Sequence, residues 1–291
     1  MTVLLASTTT YGYTIPTRQK KMPILQDKMF EALESRRKRQ ILRRLPDPVP
    51  SSDSTQLIDF CSNDYLSLSS FSPLRTRFIE KIRASDHVLG SGGSRLLVNP
   101  LHHQKLEDRL LKLYFDLEHI CEPGATLLFN SGFDANAGLF ASIPQDGDVV
   151  VMDEYIHASV HDGVRASRAS KSCYTFAHND MKAFRQLLER VRSDSTDIAG
   201  GRASVIIAVE ALYSMDGTFA PLPEIVALVD ELLPLRNGHI IVDEAHATGI
   251  YGPNGRGITA HYRLEDRVFA RLVTFGKALA GNGGMGRTTC G

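Results

Sequence analysis

Two periods of apolar residues alternate along most of this chain. From about Pro73 onward, short runs of Val, Ile and Leu give way to stretches in which apolar residues return every three or four positions. The first pattern marks strands and the second amphipathic helices. The helical period predicts helices over Pro73–Ala84, His102–Tyr114, Phe133–Ser142, Ile156–Ser167, Asp180–Arg192 and Leu222–Leu233. Between them, strands are predicted over Thr126–Asn130, Asp148–Met152, Ser172–Phe176, Ser204–Glu210, His239–Asp243 and Ala270–Thr274. Val205–Val209 and Ile240–Val242 are apolar throughout, as strands covered on both faces are. Alternating strands and helices imply an α/β fold, a mostly parallel sheet with helices on both faces. Upstream, Ile24–Leu45 reads as an amphipathic helix. Met29, Leu33, Ile41, Leu42 and Leu45 share one face, and Arg36, Arg37, Lys38 and Arg39 crowd the other. Pro46, Pro48 and Pro50 with the serines that follow make a linker, and Leu57–Cys61 is a further short strand. The expected organisation is a disordered tail over 1–22, a helix and linker segment over 23–72 and a large domain over 73–291.

Composition narrows the class. Acidic and basic residues balance at 33 each, which argues against nucleic acid or an anionic membrane as the partner. Apolar residues are 43% and charged residues 23%, an ordinary globular balance. Cys61, Cys121, Cys173 and Cys290 lie far apart, so neither a disulfide scaffold nor a zinc module is expected, and a reducing compartment fits. Met1–Lys21 holds no acid and only a short apolar stretch. It reads as a frayed tail of a cytoplasmic protein, with a mitochondrial leader as the alternative.

In a parallel sheet, ligands gather at the carboxyl ends of the strands. That rule selects Ser131-Gly132, Asp153 to His157, Glu210, Asp243 to His246 and Thr274 to Lys277. Each has a bland reading. Asp243-Glu244-Ala245-His246 evokes the helicase box, but that needs an upstream phosphate loop, and none is present. Gly281–Gly286 fits Gly-x-Gly-x-x-Gly, yet too little chain follows for the helix that motif serves. His157 and His161 have metal-pair spacing but no evident third ligand, so no metal is expected. Ser131-Gly132-Phe133 alone is a strand-to-helix turn, and Lys277 alone a solvated lysine. Taken together they describe a pyridoxal phosphate site. That cofactor needs an amine to form an imine and an anion beside the pyridine nitrogen. It also needs helix N-terminal N–H groups for its phosphate, and a flat group over its ring.

The chain resembles the α-oxoamine synthases, fold-type I pyridoxal phosphate enzymes that join an amino acid to an acyl thioester with loss of carbon dioxide. The resemblance rests on Cys61–Leu66, Gly90–Arg95, Phe129–Phe133, Ser214–Gly217, Asp243–Gly249 and Thr274–Ala278, in order, and spans about Phe30 to Gly284. It implies that Lys277 holds the cofactor as an imine and later moves protons. Asp243 would pair with the ring nitrogen, His246 and Ser214 face the phenolic oxygen, and His157 stack on the ring. Ser131, Gly132, Phe133 and Thr274 would lie at the phosphate, and Glu210 would line the pocket. Asn63 and Arg43 would hold the substrate, Arg43 as a carboxylate partner. The Ser-Asn-Asp-Tyr-Leu and Gly-Ser-Gly-Gly-Ser-Arg blocks point to the branch taking L-alanine and pimeloyl-CoA or a pimeloyl carrier protein in biotin synthesis. Other branches of the family are the alternative, as is an inactive fragment. The resemblance also implies a homodimer. Family members continue well past the lysine into a small C-terminal domain. The expectation is therefore a truncated chain in which Met285–Gly291 departs from the pattern. A peroxisomal address would sit at such a C-terminus.

Overall fold

In a computed structural model of the chain, residues 24–45, 59–86, 88–90, 92–114 and 125–288 are described. The chain forms two units, Met1–Asp59 and Phe60–Gly291. The predicted tail, most of the proline linker and residues 57–58 of the predicted first strand lie outside the described residues; residues 59–61 form no strand.

In the first unit, α1 (Ile24–Lys38) has no buried residue. It stops short of the predicted Leu45 because Gln40 adopts φ 58°, and the Ile41 N–H returns to the Arg36 carbonyl. That is the left-handed turn that commonly closes a helix.

The second unit is built on seven strands: β1 (Ala125–Phe129), β2 (Val149–Asp153), β3 (Cys173–Phe176), β4 (Val205–Glu210), β5 (Gly238–Asp243), β6 (Ala270–Thr274) and β7 (Gly284–Thr288). Their order in the sheet is β1-β7-β6-β5-β4-β2-β3. β7 runs antiparallel to both neighbours, and the other pairings are parallel. The main helices are α2 (Ser72–Arg83), α3 (Leu101–Tyr114), α4 (Gly132–Ser142), α5 (Ala158–Ala166), α6 (Met181–Asp194), α7 (Thr196–Ala199), α8 (Leu222–Leu232) and α9 (Ile258–His261). This is the expected α/β class, a mostly parallel sheet with helices on both faces.

The all-apolar strands explain the two covered faces. Along β4, Val205, Ile207 and Val209 enter a core with Phe184 and Leu188 of α6 and Leu222 and Ile225 of α8. Ile206 and Ala208 point the other way, into a core with Leu139 and Phe140 of α4 and Val160 and Val164 of α5. Strand side chains alternate between faces, so only a strand apolar at every position satisfies both. Arg95 holds the 92–99 loop: its guanidinium forks onto Glu107 of α3 at 2.7 and 3.0 Å, and Glu107 accepts the Leu128 N–H of β1. Among the described residues, no helix is long and apolar enough to cross a membrane.

The parallel strands end on one edge. Ser131, His157, Glu210, Asp243 and Thr274 follow or close β1, β2, β4, β5 and β6 there. Lys277 lies three residues past the end of β6.

Candidate active site

Asp243 ends β5 buried and held by two donors. Its Oδ1 accepts the Ala245 N–H at 2.9 Å, and its Oδ2 accepts Asn136 Nδ2 at 2.7 Å. The same Asn136 nitrogen lies 3.0 Å from Ser159 Oγ, and Ser159 Oγ lies 2.7 Å from His157 Nδ1. The Ser159 N–H also donates to His157 Nδ1, which caps α5 and places the ring hydrogen on Nε2. One chain of hydrogen bonds thus fixes both the carboxylate at the strand end and the imidazole two strands away. His157 lies outside α5, so it does not share a helix face with His161 as the metal-pair spacing assumed. The Phe133 ring meets His157 edge-on at 6.0 Å.

Lys277 and Glu210 feel this carboxylate, and His246 feels Lys277. Burial pushes the Lys277 amine below its usual range, against the pull of the Asp243 and Glu210 carboxylates. Glu210, buried, goes up to about 8, through desolvation first and the Asp243 charge second. Its Oε2 accepts the Ser214 N–H at 3.3 Å, while Oε1 is buried with no partner among the described residues. His246 falls to about 4, again through burial first, then the Lys277 charge. At neutral pH the edge therefore holds a protonated Glu210 and an uncharged His246 around an amine eased toward its free base.

The β1–α4 turn has the features of an anion site. Ser131 caps α4, its Oγ accepting the Asp134 N–H at 3.0 Å and bonding Asp134 Oδ2 at 2.9 Å. The first helical N–H groups, Gly132 and Phe133, have no carbonyl one turn back and carry the positive end of the helix dipole. Gly132 packs closely: a Cβ there would come within 3.1 Å of both Thr274 Cβ and Oγ1. Thr274 thus stands against this turn, its hydroxyl near the Gly276 N–H and the Gly283 carbonyl.

The structure brings together Ser131, Gly132, Phe133 and His157, and likewise Glu210, Ser214, Asp243, His246 and Lys277. Thr274 joins the first group. Asn63 reaches the second through Tyr65, which lies 2.9 Å from both Asn63 Oδ1 and His246 Nδ1. Arg43 is exposed and belongs to the first unit, so it is not placed against these residues. Asn136, Ser159 and Tyr65 are not among the residues the sequence singled out. Tyr65 sits inside a signature block, and Ser159 could have been read as the capping partner of His157. Nothing in the sequence marks Asn136 as buried.

These residues fit pyridoxal phosphate. An orphaned buried oxygen on Glu210, a fixed carboxylate, an amine of lowered basicity and open N–H groups at a helix start are its complement.

The mostly parallel sheet, with this edge constellation, defines a fold-type I large domain. Residues 55–290 match the model of the aminotransferase class I and II family, and the chain belongs to that family. Among curated proteins it is 46% identical to 8-amino-7-oxononanoate synthase of Emericella nidulans, over 90% of this chain and 61% of that protein. It is 40% identical to aminoacyl transferase sphA of Byssochlamys spectabilis, over 88% of this chain and 53% of that protein. Its fold is similar to a serine palmitoyltransferase from S. paucimobilis, with TM-score 0.65 at 26% identity, over 79% of this chain and 52% of that one. It is also similar to 8-amino-7-oxononanoate synthase from Francisella tularensis, with TM-score 0.58 at 25% identity, over 80% of this chain and 59% of that one. These matches uphold the α-oxoamine synthase resemblance. The chain spans between about half and three-fifths of the length of these relatives.

Proposed function

We propose that the chain binds pyridoxal phosphate through Lys277. We further propose that it carries the cofactor site of an acyltransferase joining L-alanine to a pimeloyl thioester, with loss of carbon dioxide, to give 8-amino-7-oxononanoate. The observation that carries this reading is the clustering at one strand edge of a doubly anchored Asp243, an amine of depressed basicity at Lys277 and an uncharged His246. The similarity to 8-amino-7-oxononanoate synthases supports the choice of substrates.

When bound, the cofactor supplies an aldehyde that captures an amino group and a conjugated ring that accepts the electron pair released at its α-carbon. The chain's residues do the rest. Asn136 and the Ala245 N–H aim the Asp243 carboxylate at the ring nitrogen. The α4 start with Thr274 would hold the phosphate, and His157, oriented by Ser159, would supply the flat group for the ring. Burial lowers the basicity of Lys277, which would suit its free amine to take and return the substrate α-proton. Glu210, protonated, adds no second negative charge beside Asp243. Asn63 and Arg43 hold the substrate, with support for Arg43 coming from the family resemblance alone. The protein acts as a homodimer in the cytoplasm; a mitochondrial or peroxisomal site is the alternative.

The test is borohydride reduction of the protein loaded with pyridoxal phosphate, followed by peptide mapping. A phosphopyridoxyl group on Lys277, absent from Lys277→Ala, is the expected result; no labelled peptide, or labelling elsewhere, overturns the cofactor reading. A panel of amino acids with pimeloyl, palmitoyl and acetyl thioesters then reads the substrates. The sphA and serine palmitoyltransferase matches favour a second reading, a different acyl and amino acid pair, which turnover of another pair would establish. Labelling without turnover of any pair would leave a cofactor-binding fragment.

A further inference from the structure

Asn63, Tyr65 and His246 form a line at the edge of the site, and the proposed chemistry gives Tyr65 no part. Tyr65 Oη lies 2.9 Å from Asn63 Oδ1 and 2.9 Å from His246 Nδ1, and the two rings are tilted at 47°. A phenol has one hydrogen to give, and an amide oxygen can only accept. With Oδ1 facing it, Tyr65 donates to Asn63, so its oxygen accepts from His246 Nδ1–H. Burial keeps His246 uncharged at neutral pH, so the ring carries a single hydrogen. Placing that hydrogen on Nδ1 leaves Nε2 a bare acceptor. Turning the Asn63 amide end for end reverses every step. Its NH2 then donates to Tyr65, the Tyr65 hydrogen rotates to face Nδ1, and the ring hydrogen resides on Nε2. No net proton moves: Nδ1 releases one to solvent and Nε2 takes one from it.

We propose that Tyr65 is a positioning residue that transmits the orientation of the Asn63 amide to His246, so that a ligand engaging Asn63 decides whether Nε2 of His246 accepts or donates. A ligand that captures the Asn63 carbonyl oxygen presents the NH2 to Tyr65 and makes Nε2 a donor. This deepens the proposed function and rests on it only for the identity of that ligand: the donor form is the one suited to a phenolate oxygen.

Ring-nitrogen NMR of histidine-labelled protein tests the relay without cofactor, with the His246 signals assigned by their loss in His246→Gln. The free protein is expected to hold the Nδ1–H tautomer. Tyr65→Phe should shift the tautomer ratio toward Nε2–H by roughly fivefold, the worth of one net hydrogen bond. Asn63→Asp, whose side chain only accepts, should keep the Nδ1–H form, and Asn63→Ala should lose it. An unchanged ratio in Tyr65→Phe, or in Asn63→Ala should Tyr65→Phe fail to fold, overturns the relay, as does an Nε2–H tautomer in the parent. Because no cofactor is present, failure of pyridoxal phosphate to bind bears on the proposed function and leaves this result standing.

Discussion

Neighbouring acids at 243 and 244 have opposite fates because β5 ends at Asp243 and Glu244, just past it, turns to a different set of partners. Asp243 faces the site. Glu244 is fully buried; its Oε2 accepts the Ile258 N–H at 2.9 Å and its Oε1 the Thr259 N–H at 2.8 Å. The buried Arg271 guanidinium lies 3.4 Å from the same Oε1. The motif that evokes a helicase box thus spends its second acid on structure. Removing one partner of a buried pair strands the other, so Glu244→Ala should lower unfolding free energy by about 3–5 kcal/mol, read by urea titration. Gly257, at φ 95°, supports the same contact, since a Cβ there would meet Glu244 Oε2 at 2.5 Å. Glu210 gives a second prediction. Its folded value of about 8 is raised from 4.5, so the folded state holds a proton that the unfolded chain releases. Its contribution to stability is complete below about pH 4.5 and is lost as pH rises through about 8. Glu210→Gln should therefore gain melting temperature relative to the parent between those limits, and a constant difference across the range would refute the assignment. The depressed Lys277 favours folding as pH rises, the opposite slope to that of Glu210, and the two are coupled, so Lys277→Met in both backgrounds completes the comparison.

At the scale of elements, α4 is where local chemistry and the site coincide. Ser131→Ala removes the cap and should cost about 1 kcal/mol in thermal unfolding. Gly132→Ala forces a methyl against Thr274 and should weaken pyridoxal phosphate binding, read by fluorescence titration, more than Ser131→Ala does. Six strands and six helices of the second unit were legible to within one or two residues, because β4 and β5 are apolar throughout and the helices keep a clean period. β7 was not. Gly284-Met285-Gly286-Arg287-Thr288 has no β-branched run, and from Met285 onward it reads as a tail that leaves the family pattern. It is a strand because β1 and β6 pair with it on both sides. Its glycines suit that crowded place: a Cβ on Gly284 would lie 2.9 Å from the Gly132 nitrogen. Periodicity sees one segment at a time and is blind to such pairing. The same blindness hid Asn136 and Ser159, whose worth lies in linking α4, α5 and β5, while the strand-end rule found the residues that close or follow a strand.

For the molecule as a whole, the exposed apolar surface is the feature that calls for an explanation. α2 buries none of its residues. Phe71, Leu74, Phe78 and Ile82 are 51, 42, 63 and 37% exposed, and their spacing puts them on one stripe. Water around such a stripe is costly, at roughly 25 cal/mol for each Å² left uncovered. Scattered apolar side chains are ordinary on a protein surface, whereas a contiguous helical stripe is of the kind that interfaces cover. The homodimer implied by the family resemblance supplies an occupant, and an isologous pairing would cover the stripe with its own copy. Sedimentation velocity should then show a discrete dimer that dissociates on dilution. Phe78→Glu, which puts a charge at the stripe's most exposed position, should shift it to monomer while leaving Lys277 labelling by pyridoxal phosphate intact, since Phe78 has no part in the edge constellation. Heterogeneous aggregates in place of a dimer, or a dimer indifferent to Phe78→Glu, would mean that the stripe serves something other than a second copy.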